Sequence, residues 1–317
     1  MKKAQKILIA GFGDIGKRVA GILGICRCYQ MMALVRKNNA LMRDPATARL
    51  LKVTMIRGDL RNTRTLEKLP GTIDTLLHFV PPPGTGVCDV HTRNLLAALE
   101  KRKNLRQQTR RASMLPRRIV YISTTGVYGN CHGDLIDETR PVRPESARAK
   151  RRVNAERQLY KWGRSHGVAI TVLRAPGIYA AERLPLERLK RKTPVLIETD
   201  DVFTNHIHAD DLARAVVRAM NQQRPKKFRV FNVVDENQLR MGDYFDLVAD
   251  TFGLSRPPRV SRSEAPGVIA STLLSFMSES RRIGNARLKR ELKFQLKYPT
   301  LESTFTELRS AGKLVTD

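Results

Sequence analysis

The chain lacks any run of roughly 18 consecutive apolar residues, so none of its 317 residues forms an obvious membrane-spanning segment. It also lacks a C-x-x-C pair. The four cysteines, Cys26, Cys28, Cys88 and Cys131, have spacings that support neither a zinc ribbon nor a thioredoxin-type motif. They are expected as ordinary reduced thiols. Cys131-His132 would need ligands from elsewhere to hold a metal, and no metal site is expected. Aromatic residues are scarce, at 6%, and none interleaves the basic runs Lys101–Arg118, Ala147–Arg152 and Arg188–Lys192. That argues against a base-stacking surface of the kind that grips single-stranded nucleic acid. Acidic residues are scarce too: 30 Asp and Glu stand against 58 Lys and Arg, a net charge of +28. Such a surface attracts anions, and the charge speaks to partners and not to fold.

A hydrophobic fraction of 41% supports a real core, arranged in alternating short apolar runs and helical periodicity. Strands are expected at Lys6–Ala10, Met32–Val35, Val53–Ile56, Thr75–Val80, Ile119–Ser123, Val168–Leu173 and Phe228–Val234. Helices are expected at Ile15–Leu23, Val90–Leu99, Ser146–Ser165 and Asp210–Met220, and the chain after Asp235 reads as mostly helical, ending with Thr300–Ser310. Asn104–Pro116 is polar and basic without apolar periodicity and reads as an inserted loop. Alternation of this kind predicts an α/β fold, a Rossmann-type doubly wound parallel sheet with a smaller, mostly helical C-terminal lobe. The expected organisation is a nucleotide-binding domain over residues 1–178, with 203–235 returning to it, and a substrate lobe from 179–202 and 236–317. The opening residues MKKAQKILIAGFGDIG hold only Ile7–Ala10 as an apolar stretch, so they read as a first strand and not as a signal peptide. A cytoplasmic protein is expected.

Gly11-Phe12-Gly13-Asp14-Ile15-Gly16 is a G-x-G-x-x-G pattern that directly follows the first strand and opens the first helix. Gly11 allows a tight turn, Gly13 lets the backbone approach a diphosphate, and Gly16 lets helix and strand pack closely. The phosphates would face the N–H groups at the helix front, beside Asp14 and Ile15. At the end of the second strand an NAD site carries Asp or Glu for the ribose hydroxyl. Here the residues are Arg36-Lys37-Asn38. Cations without a carboxylate favour a 2′-phosphate, hence NADP(H), with Arg36 as the clamp. NAD(H) stays open, because Arg36 also suits a solvated strand end.

With these residues in place, the chain resembles the extended short-chain dehydrogenase/reductases, the NAD-dependent epimerase/dehydratase group. Gly58-Asp59-Leu60 is similar to that family's adenine-contacting turn. Ser123-Thr124-Thr125-Gly126-Val127-Tyr128-Gly129 resembles its Ser/Thr-rich strand end followed by V-Y-G. Leu173-Arg-Ala-Pro-Gly-Ile-Tyr179, His206-Ile-His-Ala-Asp-Asp-Leu212 and Phe231-Asn-Val233 resemble its later motifs. The resemblance adds Asp59, Leu60, Val80, Pro81, Thr124 and Pro176 to the expected dinucleotide contacts. It also implies a Tyr-x-x-x-Lys acid/base pair, and this sequence departs from it. Aligned on Ala155-Glu156, Arg148 stands in the tyrosine place and Arg152 in the lysine place; a shifted register with Lys150 as the lysine puts Ser146 in the tyrosine place. Arginine stays protonated and cannot serve as that acid/base. The pattern is similar to atypical members of the family that lack the pair. Pro81-Pro82-Pro83-Gly84 would form a rigid wall where the family carries small residues.

Three readings follow. The first is an NADP(H)-dependent oxidoreductase or epimerase-like enzyme on an anionic small molecule or nucleotide-linked substrate. Thr124 would orient the substrate, and Tyr128, Tyr179 or water would move the proton. Both tyrosines, and His208, equally suit packing with a satisfied polar tip. The second reading is a catalytically silent NADP(H) sensor or scaffold. The third is a nucleic-acid or anionic-surface binder. Family members often dimerise through two helices, here Val90–Leu99 and Ser146–Ser165, so a homodimer is one possibility; the cations at Arg143, Arg148, Lys150, Arg151, Arg152 and Arg157 would need screening there.

Overall fold

Ile7, Leu8, Ile9 and Ala10 are fully buried, on both faces of one strand, which is what a central strand of a parallel sheet requires. The computed structural model describes residues 4–26, 28–36, 45–108 and 115–310. In chain order its first elements are β1 (Gln5–Ala10), α1 (Asp14–Gly24), β2 (Tyr29–Val35), α2 (Pro45–Leu50), β3 (Val53–Arg57), β4 (Thr75–His78), α3 (Val90–Gln108) and β5 (Arg118–Thr124). Two further strands, Ala169–Ala175 and Phe228–Asn232, complete a seven-stranded sheet. Its order is β3-β2-β1-β4-β5, then Ala169–Ala175, then Phe228–Asn232. The chain moves outward from β1 to β3 and returns to the other side of β1 at β4. That reversal is the switch point at which doubly wound sheets hold ligands. Parallel register sets the strand ends in line: Ala10 lies opposite Leu34 and His78, Val35 opposite Arg57, and His78 opposite Tyr121.

The chain divides into two compact units. Unit one comprises Met1–Val127, Pro144–Arg174 and Leu212–Phe231. Its core joins Leu8, Met32, Leu76 and Ile119 of the sheet to Leu95 and Leu99 of α3, and to Leu159 and Trp162 of a long helix, α4 (Ala147–His166). Ser146 caps α4 by accepting the Ala149 N–H at 3.2 Å, and Gly167 ends it in the left-handed region at φ 68°. One buried ion pair ties three elements together. Glu156 of α4 accepts Ser123 Oγ of β5 at 2.6 Å and Arg174 Nη2 at 2.7 Å. Unit two comprises Tyr128–Arg143, Ala175–Asp211 and Asn232–Asp317. Besides its helices, Met241–Thr251 and Leu301–Ser310 among them, it carries three short parallel ladders. Tyr179, Leu196, Phe245, Val248, Leu301 and Phe305 lie in its core.

Two expectations are corrected. Residues 104–108, expected in a loop, continue α3, because Leu105, Arg106, Gln107 and Gln108 are good helix formers; residues 109–114 lie outside the described residues. Cys26 and Cys28, expected as thiols, form a disulfide across one residue. The Cys26 N–H bonds Leu23 O at the end of α1, and Cys28 O accepts the Gln5 N–H of β1. Cys88 is exposed and Cys131 buried, both unpaired. No described helix is long and apolar enough to cross a membrane.

Two buried imidazoles make folding pH-dependent. In unit one, Thr92 Oγ1 donates to Asp89 at 2.7 Å and lies 2.8 Å from His78 Nε2, so His78 is the neutral Nε2–H tautomer. Burial pushes His78 down to about 4, opposed by Asp89 and aided by Arg152 and His91. In unit two, burial pushes His206 down to about 4; its ring stacks on Tyr244 with centroids 4.3 Å apart. The unfolded chain therefore binds more protons between about pH 6.5 and 4, and stability contributed by each neutral ring is lost as pH falls through that window, on the order of 3 kcal/mol per ring. Buried Asp235 and half-buried Asp201, raised by desolvation, act with the opposite sign. His206→Phe keeps the stacked ring and removes one titration. Denaturant unfolding at pH 6.5 and pH 4.5 is expected to show a shallower loss of stability in this variant than in the wild type; parallel losses would refute the assignment.

Candidate functional site

At the end of β1 the backbone turns sharply at Gly11, whose φ is +94°. A Cβ there would sit 2.7 Å from Val80 N and 2.8 Å from Phe79 C, in the backbone leaving β4. Only glycine satisfies both the dihedral and the gap. The Phe79 N–H closes the same approach by bonding Ala10 O at 2.7 Å. Gly16 packs tightly from the helix side, with a Cβ position 3.0 Å from Gly11 O. Gly13 is different. It is the N-cap of α1, and a Cβ added to it would meet nothing within 4 Å. With glycine at the N-cap, no N-cap side chain bonds the helix front, where the first N–H groups have no partner within the helix itself. Ile15 is buried beneath this turn, and Asp14 pairs with Arg18 at 3.0 Å along the helix flank. The open cradle and uncapped amides fit an anionic diphosphate.

The neighbouring strand ends add the remaining unit-one positions. Arg36 leaves β2 exposed, and Lys37 and Asn38 lie outside the described residues. Asp59, just past β3, is gripped by Arg61: Nη2 lies 2.8 Å from Oδ2, and the Arg61 N–H donates to Oδ1 at 2.9 Å. This contact holds the carboxyl below its usual range, and Arg36 lowers it further. Leu60 is buried, and its carbonyl accepts Asn94 Nδ2 at 2.7 Å. Val80 is half-buried against Gly11. Pro81 is exposed, and its carbonyl lies 2.9 Å from His91 Nδ1.

Thr124 ends β5, half-buried, with its Oγ1 accepting the Gly126 N–H at 3.2 Å. Ser123 beside it is committed to Glu156, which leaves Thr124 as the hydroxyl at this strand end with side-chain exposure. Arg152 does not stand in for a lysine. Its guanidinium donates to Ile122 O at 2.8 Å and Tyr121 Oη at 3.0 Å, staying within unit one. Arg151 donates to Gly86 O at 2.6 Å, while Arg148 and Lys150 are exposed.

The model of the NAD dependent epimerase/dehydratase family matches residues 7–233. The chain belongs to this family. Within it, the chain is 24% identical over 228 residues to a dTDP-glucose 4,6-dehydratase of Streptomyces antibioticus, a match covering 67% of this chain and 63% of that relative's own length. Among solved structures, a functionally unknown conserved protein from Silicibacter pomeroyi is 27% identical with a TM-score of 0.75, covering 97% of this chain and 99% of the other. The UDP-glucuronic acid 4-epimerase of Bacillus cereus, in complex with UDP-glucuronic acid and NAD, shares the fold at 17% identity and a TM-score of 0.71, covering 97% and 100%.

In this epimerase/dehydratase chain the two candidate tyrosines and Pro176 belong to unit two. Tyr128 is buried, and its hydroxyl donates to Asn232 Oδ1 at 2.8 Å. Asn232 is fixed in turn: its N–H donates to Glu138 at 2.8 Å. Tyr179 is also buried, with its hydroxyl 3.5 Å from Thr300 O and 3.4 Å from Thr304 Oγ1. Burial first, then the Asp235 carboxylate, pushes the Tyr179 phenol well above its ordinary range. His208 lies against Tyr298, ring centroids 3.8 Å apart. Pro176 is half-buried beside the strand Gly177–Tyr179. Two features escaped sequence reasoning, the Ser123–Glu156–Arg174 cluster and the inward turn of Arg152. The Ala155-Glu156 and Leu173-Arg174 motifs held part of that signal, but they do not say which side chains meet. Among the described residues no group of three or more His, Cys, Asp or Glu side chains is placed to hold a metal.

The glycines make separable predictions. Gly13→Val meets no neighbour and a permissive φ of −89°, so its melting temperature without nucleotide should match the wild type, while the upward shift on adding dinucleotide disappears. Gly11→Ala meets both strain and backbone and should lose roughly 2–4 kcal/mol of stability. Thermal melts with and without nucleotide check both. A Gly13→Val protein that still shifts with nucleotide would contradict the cradle.

Proposed function

We propose that this epimerase/dehydratase chain binds NADP(H) and exchanges hydride with an anionic small molecule or nucleotide-linked substrate, without a Tyr-x-x-x-Lys relay. The open Gly13 cradle before an uncapped helix carries this reading. Gly11, Gly13, Asp14, Ile15 and Gly16 would hold the diphosphate turn. Asp59 and Leu60 would border the adenine, and Val80, Pro81 and Thr124 the nicotinamide. The bound dinucleotide supplies the hydride chemistry. Arg36 supports the 2′-phosphate form, since a guanidinium binds a phosphate with two parallel hydrogen bonds and would gain nothing comparable from a ribose hydroxyl. Thr124 would orient the substrate oxygen and solvent would exchange the proton. The +28 charge suits an anionic substrate, and a cytoplasmic location suits the cofactor.

The silent sensor is the second reading, favoured by one specific observation: Arg152, Tyr128 and Tyr179 spend their polar groups on internal partners. Loss of general acid/base help costs about 10²- to 10⁴-fold in rate, so the enzyme would be slow and the sensor would show no turnover.

Two measurements test these statements. Arg36→Asp is expected to weaken NADPH binding about 10- to 100-fold, the value of one charge-assisted phosphate contact, and to strengthen NADH binding; unchanged preference would refute the 2′-phosphate role. Oxidation of NADPH with a panel of carboxylated, phosphorylated and nucleotide-linked carbonyl compounds should show turnover that Thr124→Val reduces. Tight binding with no turnover on any substrate would replace the enzyme with the sensor.

A further inference from the structure

The outer face of α4 carries a row of cations with no carboxylate against it. Lys150, Arg157, Lys161 and Arg164 are all exposed. At 100° per residue they fall within about 60° of one another, on a line about 21 Å long. Among the described residues none of the four side chains is in a salt bridge. The helix holds a single acidic residue, Glu156, and that one is buried against Arg174 and Ser123. The opposite face, Ala155, Leu159 and Trp162, is buried in unit one, as are Ala149 and Val153 on the flank beside the row. The row is therefore rigidly presented and electrostatically unanswered.

We propose that this face of α4 is a docking surface for the phosphate backbone of double-stranded nucleic acid, bound without sequence readout. Charge complementarity to a line of phosphates argues for it: the row is linear, holds only Lys and Arg, and has no ion-pair partner among the described residues. An anionic membrane fits less well. A surface helix binds lipid by sinking its apolar face, and here that face is spent on the core. A single strand fits less well because only Tyr160, 43% exposed and edge-on to Phe228 at 5.0 Å, offers a ring. The same row opposes self-association through α4, since two copies meeting there would bring together two sets of like charges.

The test uses the full chain and the triple variant Arg157→Gln, Lys161→Gln, Arg164→Gln, with Lys190→Gln, Arg191→Gln, Lys192→Gln in unit two as an equal loss of charge elsewhere. Fluorescence anisotropy of labelled 20-base-pair DNA and RNA duplexes is followed across a salt series from about 50 to 200 mM. Expected are binding by the wild type, at least tenfold weaker binding by the α4 variant, and a salt dependence whose log–log slope is smaller by about 2.7, for three lost phosphate contacts. A DNA-only or RNA-only response identifies the source of the backbone and supports the proposal. Melting temperature and NADPH binding of the α4 variant should match the wild type. No duplex binding at 50 mM salt overturns the proposal. So does equal weakening by the unit-two variant, or α4-dependent binding to phosphatidylserine vesicles without duplex binding.

Discussion

Between the end of β1 and the end of β4 there is room for two backbones and no side chain. Gly11 turns there at positive φ, its missing Cβ filled by the Val80 and Phe79 backbone. This close approach depends on the order of the sheet, because β1 and β4 are neighbours only if the chain winds outward to β3 and returns. It also sets the start of α1, which leaves the turn with an exposed glycine, Gly13, at its N-cap. The strand order, the strained turn and the anion cradle are one arrangement seen at three scales.

Beyond the cradle, arginines of unit one make internal contacts. In a Tyr-x-x-x-Lys site a lysine lowers the phenol and steers its proton. A guanidinium cannot serve as that acid/base, and Arg152 donates through Nη1 to the Ile122 carbonyl and the Tyr121 hydroxyl. These bonds hold β5 against α4. Ser123, Glu156 and Arg174 do similar work with a buried ion pair, and breaking such a pair by removing one partner costs about 3–5 kcal/mol. Thr124 is left as the half-buried hydroxyl at this strand end. Family membership thus carries the fold and the nucleotide site further than it carries the reaction.

Much of unit one was legible in the sequence because its signals are local. The run Ile7–Ala10, the three glycines and the helical spacing of Ile15, Val19 and Leu23 each express a backbone requirement within a few residues. Ser146 and Gly167 mark the ends of α4 by cap chemistry alone. What was hidden depends on residues far apart in the chain. The sequence permits Arg152 to face a substrate or a carbonyl of β5, and only the packing of α4 on the sheet decides. Tyr179 looks equally suited to catalysis until Thr300 and Thr304, more than a hundred residues later, close over its hydroxyl. The three short ladders of unit two were missed because two- and three-residue strands carry no periodicity to read. The Cys26–Cys28 link escaped because C-x-C has no compositional context in a chain with four cysteines.

The charge of +28 is distributed rather than confined to one site, and its most ordered part is the row on α4, on the outside of the nucleotide-binding unit. Cradle and row are separate features, and the first does not require the second. The central claim is the cradle itself, and isothermal titration calorimetry of the wild-type chain with NADPH and with NADH tests it most directly. The account predicts saturable heat for one NADPH per chain, with weaker binding of NADH. No heat with the oxidised or reduced form of either dinucleotide would contradict it.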